Sequence, residues 1–166
     1  MLQPTVRRTW APEGQTPIQY SWDRHDRLSG ISAISVSPQR RRLGLYFDVW
    51  GHNICADDVE PFVGEWLGQF PRGIILVWDR WAVHRAAARW LARRFWRRVQ
   101  WEWLPPYAPE LNPVEGVWDQ TKYADLANFI PDDVAHLRRA VRQSLRHSRS
   151  EQDLLRSFFK HAKLNL

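Results

Sequence analysis

A single cysteine, Cys55, stands in a chain of 166 residues. One thiol closes no internal disulfide and completes no cysteine-based zinc finger, and it suits a reducing compartment. Lysine is nearly as scarce. Lys122, Lys160 and Lys163 are the only ones, so a net charge of +6 is carried almost wholly by arginine. Long apolar runs are also missing. The longest, Ile74-Ile75-Leu76-Val77-Trp78, falls far short of the ~20 residues that cross a bilayer, which excludes a membrane-spanning helix. Met1 to Arg8 hold no apolar core of the signal-peptide type, so a cytoplasmic protein without a membrane partner is expected.

The remaining composition is that of an ordinary soluble globule. Hydrophobic residues make up 44% and charged residues 25%, and the length suits one domain built on one core. The arginine excess suits a nucleic-acid partner, because neutralising phosphates releases counterions. A solvated basic surface explains it equally well. Eleven tryptophans are many for this length. Bases can stack on such rings, but burial in the core is the commoner use.

Periodicity gives a mixed α/β order. The segment Leu28–Val36 nearly alternates, with Ile31 and Ala33 on one phase and Ile34 and Val36 on the other. Leu43, Leu45, Phe47 and Val49 share a face, which predicts a second strand antiparallel to the first across a basic turn at Arg40-Arg41-Arg42. A helix opening at Asp57-Asp58 carries Val59, Phe62, Val63, Trp66, Leu67 and Phe70 on one stripe, with Pro61 assigned to its first turn. Ile74–Trp78 lacks polar alternation and is expected to be a parallel strand buried on both faces. A helix from about His84 to Arg98 and a short strand through Val99–Leu104 follow. Asn112-Pro113 starts another helix, with Asn as N-cap and Pro at N1. Helices over Asp132–His147 and Ser150–Ala162 close the chain, the latter opening on a variant capping box at Ser150.

Two carboxylates occupy positions suited to chemistry. Asp79 follows the Ile74–Trp78 strand at its carboxyl end, the rim where open α/β sheets bind ligands. There it is a metal ligand, a strand-end cap, or a partner for Arg80 or another arginine. Glu115 sits at N3 after the Asn112 cap, where a capping-box role competes with a catalytic one. Arg85, Arg89, Arg93 and Arg97 recur every four residues, joined by Arg94 and Arg98, and form a positive stripe suited to a DNA backbone or to solvent.

The stretch Leu104-Pro105-Pro106-Tyr107-Ala108-Pro109-Glu110-Leu111-Asn112-Pro113-Val114-Glu115, followed by Trp118 and Lys122, resembles the signature of DDE transposases. The nearest branch by resemblance is the bacterial insertion-sequence relatives of the mariner transposons. Asp79 with His84 resembles the family's second catalytic block, although Arg80 stands where the family often has Asn. Arg7-Arg8-Thr9-Trp10-Ala11-Pro12-Glu13-Gly14-Gln15-Thr16-Pro17 resembles a further family stretch, so the likeness covers nearly the whole chain.

The resemblance implies a ribonuclease H-like mixed sheet flanked by helices, one domain over residues 1–166 with a helical extension over 130–166. It implies Asp79 and Glu115 as catalytic acids holding Mg²⁺ (or Mn²⁺), because two cations about 4 Å apart clamp a scissile phosphate. It implies DNA contacts by His84, Arg85, Arg89, Arg93, Arg97, Tyr107, Asn112 and Lys122. His84 has a packing alternative against Trp81 or Glu115. The partners implied are double-stranded DNA, both transposon ends and target, and a second copy in a homodimer.

The family uses three acids. By resemblance the first, with its central strand, precedes the Arg7 stretch, so that strand is expected to be missing and to come from an amino-terminal segment in a separate reading frame. Asp23, Asp26 and Asp48 are the other aspartates in a plausible zone. The activity expected is metal-dependent strand cleavage and strand transfer. The alternatives are a catalytically inactive DNA-binding or dimerising remnant and a generic nuclease of the same fold.

Overall fold

The computed structural model describes residues 7, 8, 10–15, 18 and 27–166. Strand β1 (Ser29–Val36) and strand β2 (Leu43–Trp50) form an antiparallel hairpin, in register from Ser29 opposite Trp50 to Val36 opposite Leu43. Its turn is tied by Ser37 Oγ, which accepts from the backbone amides of Arg41 and Arg42. Helix α1 (Ala56–Leu67), strand β3 (Ile74–Trp78), helix α2 (Ala82–Arg94) and strand β4 (Val99–Trp103) follow, with β4 parallel to β3. A 3₁₀ turn leads into helix α3 (Pro113–Asp119), which runs on as a π-helical segment to Asp125. Helices α4 (Val134–Ser150) and α5 (Gln152–His161) complete the chain.

The two phases of β1 read from the sequence face two different cores. Ile34, with Leu43, Leu45, Phe47 and Val49 of β2, packs against α3, α4 and α5 through Val117, Leu137, Val141, Leu145 and Phe158. Ile31, Ala33 and Tyr46 pack on the opposite face against α1, whose Val59, Phe62, Val63, Trp66 and Leu67 also meet α2, β3 and β4. Helix α1 is therefore the element that joins the hairpin to the β3–β4 pair.

Several boundaries differ from the sequence reading. Helix α1 starts at Ala56, so Pro61 lies in its second turn, where it is exposed and supplies no N–H to the Asp57 carbonyl one turn earlier. Helix α2 runs from Ala82 to Arg94 rather than from His84 to Arg98. It stops at Phe95, which turns its ring onto Trp90, and the chain then bends into β4. Ser150 ends α4 instead of opening α5: its hydroxyl donates to the His147 carbonyl, so no capping box forms there.

Strand β3 is buried on one face only. Ile74, Leu76 and Trp78 join the second core, whereas Ile75 and Val77 are 67% and 56% exposed because no described element covers that side. Among the described residues the strands form two separate pairs, β1–β2 and β3–β4, rather than one continuous sheet. No helix among the described residues is long and apolar enough to cross a membrane.

Candidate active site

Asp79 leaves the end of β3 and turns into α2. Its Oδ1 accepts the Trp81 backbone N–H at 2.9 Å and lies 2.6 Å from His84 Nδ1. Of the three readings of Asp79, the arginine pair is not the one seen; its ion-pair partner is His84. His84 is itself clamped between rings, stacked on Trp78 at 5.0 Å and edge-on to Trp81 at 5.4 Å, while Trp78 stacks on Trp103 of β4 at 5.7 Å. A carboxylate held by a packed imidazole and a backbone amide keeps one orientation. The contact with Trp81 is the packing alternative read for His84 from the sequence, whereas the stack on Trp78 and Trp103 left no local sign because it joins two strands and a helix.

Glu115 comes from the first turn of α3. Asn112 Oδ1 caps that helix by accepting from Val114 N–H at 3.2 Å, but Asn112 N–H goes to the Pro109 carbonyl. The reciprocal half of a capping box is therefore not made, and the Glu115 carboxylate is not committed to it. Partial desolvation pushes this carboxyl above the usual glutamate range; the Asp119 charge adds to the rise, Lys122 opposes it, and Asp79 adds further.

The seating of α3 depends on a close approach. Trp118, one turn after Glu115, packs its ring directly over Gly30 of β1, where any Cβ would collide with it. Gly116 likewise lets Phe158 of α5 lie against α3. This gives the signature tryptophan a physical task that the sequence did not reveal.

The other expected DNA contacts divide. Arg85, Arg89 and Arg93 are exposed along α2. Arg97 lies past the end of that helix in the turn before β4, with its guanidinium over Trp96 at 4.6 Å. Arg94 lies over the rings of Trp90 and Phe95. Arg98 leaves the stripe altogether and donates to the carbonyls of Leu67 and Phe70 at 2.7 and 3.0 Å, closing the carboxyl end of α1. Tyr107 projects fully into solvent from a left-handed backbone (φ 58°) at the rim. The Asn112 carbonyl oxygen is used for capping, and Lys122 lies near enough to Glu115 to act on its charge.

Of the remaining aspartates, Asp48 is bound to Arg142 at 2.9 Å and to the Val49 amide, away from this pair. Asp23 and Asp26 lie outside the described residues. Carboxylate oxygens are the hard donors that Mg²⁺ takes. Among the described residues, however, no group of three or more His, Cys, Asp or Glu stands ready to hold an ion. Asp79 and Glu115 fit such a cation by donor type and charge, as two of the ligands it needs.

A family model described as DDE superfamily endonuclease matches residues 1–138. The chain belongs to the DDE superfamily of endonucleases. Such endonucleases use divalent metal ions. No curated protein matches the chain. Among solved structures, the crystal structure of the Mos1 strand transfer complex superposes with a TM-score of 0.60 at 18% identity, covering 98% of this chain and 48% of that one. This DDE endonuclease domain thus has the ribonuclease H-like α/β fold and spans about half the length of the similar chain.

Proposed function

We propose that this DDE endonuclease domain is the catalytic portion of a transposase of the bacterial insertion-sequence branch, acting in the cytoplasm on double-stranded DNA by metal-dependent strand cleavage and strand transfer. Asp79 and Glu115 are its catalytic acids and bind Mg²⁺ or Mn²⁺, with His84 positioning Asp79. The bound cations would supply Lewis-acid activation of the attacking oxygen and stabilise the leaving one. The observation that carries this reading is the hold on Asp79 at the end of β3, whose Oδ1 accepts the Trp81 N–H and lies 2.6 Å from His84 Nδ1, together with a Glu115 carboxylate at the start of α3 that no capping box engages. Arg85, Arg89, Arg93 and Arg97 hold the DNA backbone, with Tyr107, Asn112 and Lys122 bordering the scissile strand.

A third acid completes the set. We place it on a strand that pairs with the edges of β1 and β3 left vacant by the described strands. Two copies assemble on the DNA in this reading; the similar chain was solved in a strand transfer complex.

The rings around Asp79 provide a direct test. Terbium is a hard trivalent stand-in for Mg²⁺, and its luminescence is sensitised by nearby tryptophan. Excitation of the protein should give terbium emission that Mg²⁺ or Mn²⁺ displaces, and Asp79→Asn and Glu115→Gln should each abolish it with the fold intact by circular dichroism. Emission unchanged in both variants overturns the metal assignment. Mg²⁺-dependent nicking of transposon-end DNA, assayed with a strand carrying the third acid supplied in trans, then separates the transposase from an inactive DNA-binding remnant, which would bind without cutting.

A further inference from the structure

A cleft of about 910 Å³ runs along the outer edge of β2, on the side of the hairpin away from β1. One wall is α1, with Glu65, Trp66 and Gln69; the other is α4, with Arg142, Arg146 and Arg149. The floor is backbone.

The pattern of that backbone follows from one side chain. Gln152, at the start of α5, accepts from Leu43 N–H at 3.0 Å and donates to Leu43 C=O at 2.9 Å. Its amide imitates the peptide group of a neighbouring strand. Because peptide groups along an antiparallel strand alternate in direction, those of Leu45, Phe47 and Val49 point outward as Leu43's do. The Val49 N–H is taken by the Asp48 carboxylate at 2.8 Å. No described group takes the N–H and C=O of Leu45 or Phe47. Among the described residues the edge is therefore filled at Leu43 and open at the next two outward positions.

The charge around this opening is one-sided. Arg41 and Arg42 stand at the hairpin end and Arg142, Arg146 and Arg149 along α4, against Asp48 and Glu65. Asp48 is consumed by Arg142 at 2.9 Å, and Arg149 rests over the Phe47 ring at 5.5 Å. On the α1 side Tyr46 stacks on Trp66 at 5.4 Å and presents an aromatic, nearly neutral wall.

We propose that this edge binds an extended acidic peptide segment of a partner protein by β-strand addition. An added strand sends alternate side chains to opposite faces. Aspartate or glutamate at every second position meets the α4 arginines, and the residues between, uncharged, lie on Tyr46 and Trp66. A second copy joined β2 to β2 would set these arginines against one another. A single-stranded DNA backbone suits the arginines, but its phosphates only accept hydrogen bonds and leave the outward carbonyls of Leu45 and Phe47 unpaired. The proposal is independent of the metal site.

Fluorescence anisotropy on the 166-residue chain tests it with a labelled peptide as long as β2 (8 residues), alternating glutamate and threonine. Binding is expected, weakened about tenfold or more in a block isomer with all glutamates first, and similarly by Arg146→Glu with Arg149→Glu. Two further isomers carry N-methyl groups on alternate amides, one on each phase. Only the phase that faces β2 should lose binding. Equal binding by both methylated isomers, or tighter binding of an oligothymidylate of the same length, overturns the proposal.

Discussion

His84 Nδ1 lies 2.6 Å from Asp79 Oδ1, and the same imidazole is stacked on Trp78, the last residue of β3. The strand that delivers the carboxylate thus also supplies the ring that fixes its partner. If His84 acts by orienting Asp79, His84→Ala lowers cation affinity and cleavage about 10- to 100-fold, as removal of such supporting contacts generally does. Terbium emission should weaken in proportion, and His84→Asn, which retains a polar partner, should recover part of it. A variant with weaker DNA binding and unchanged cation affinity would assign His84 to the substrate instead.

The raised Glu115 carboxyl ties stability to pH. The folded state holds the proton more tightly than the unfolded chain, whose glutamate titrates near 4.5. As pH rises above that value the unfolded state releases its proton first, so the folded state carries more protons and stability falls until the folded carboxyl has also ionised. Glu115→Gln removes this penalty. Its melting temperature should exceed the parent's at neutral pH and converge with it below 4.5. A constant difference across that range would show that the carboxyl does not couple to folding.

The arginines of α2 and its following turn separate by task. Replacing Arg85, Arg89 or Arg93 with alanine should leave urea stability nearly unchanged and reduce the salt slope of DNA binding by about one unit each. Arg98→Ala should do the reverse. It strips hydrogen bonds from the Leu67 and Phe70 carbonyls, at about 1–3 kcal/mol of stability, and leaves the salt slope in place.

Gly30 sets the position of α3. Gly30→Ala drives a methyl group into Trp118, and overpacking of this kind costs about 1–3 kcal/mol. Because Trp118 and Glu115 share one short helix, the same substitution should weaken terbium binding. Trp118→Phe in the Gly30→Ala background should restore both, which a purely local strain at β1 would not allow.

Much of this molecule was legible along the chain. The order of strands and helices, the two phases of β1, the Asn112-Pro113 helix start and the pairing of β1 with β2 all follow from near-neighbour periodicity and turn chemistry, which act over a few residues. The signature around Glu115 and the Asp79–His84 spacing pointed to the DDE superfamily, which the family model matches over residues 1–138. The sequence reading went astray where burial depends on distant elements: Ile75 and Val77 are as apolar as their neighbours, yet no described element lies over them. Arg98 continues the arginine spacing of α2 and is nonetheless the cap of a different helix.

What local pattern determined, then, was which segments form strands and helices and which residue types reach the site. Only the tertiary structure decided that Trp118 rests on Gly30 and that His84, beside Asp79, stacks on Trp78. It alone decided that Gln152, over a hundred positions after Leu43, occupies the edge of β2 and leaves the rest open. Those relationships are set by how α1 and α3 pack on the hairpin, and packing between segments remote in sequence leaves no periodicity to read.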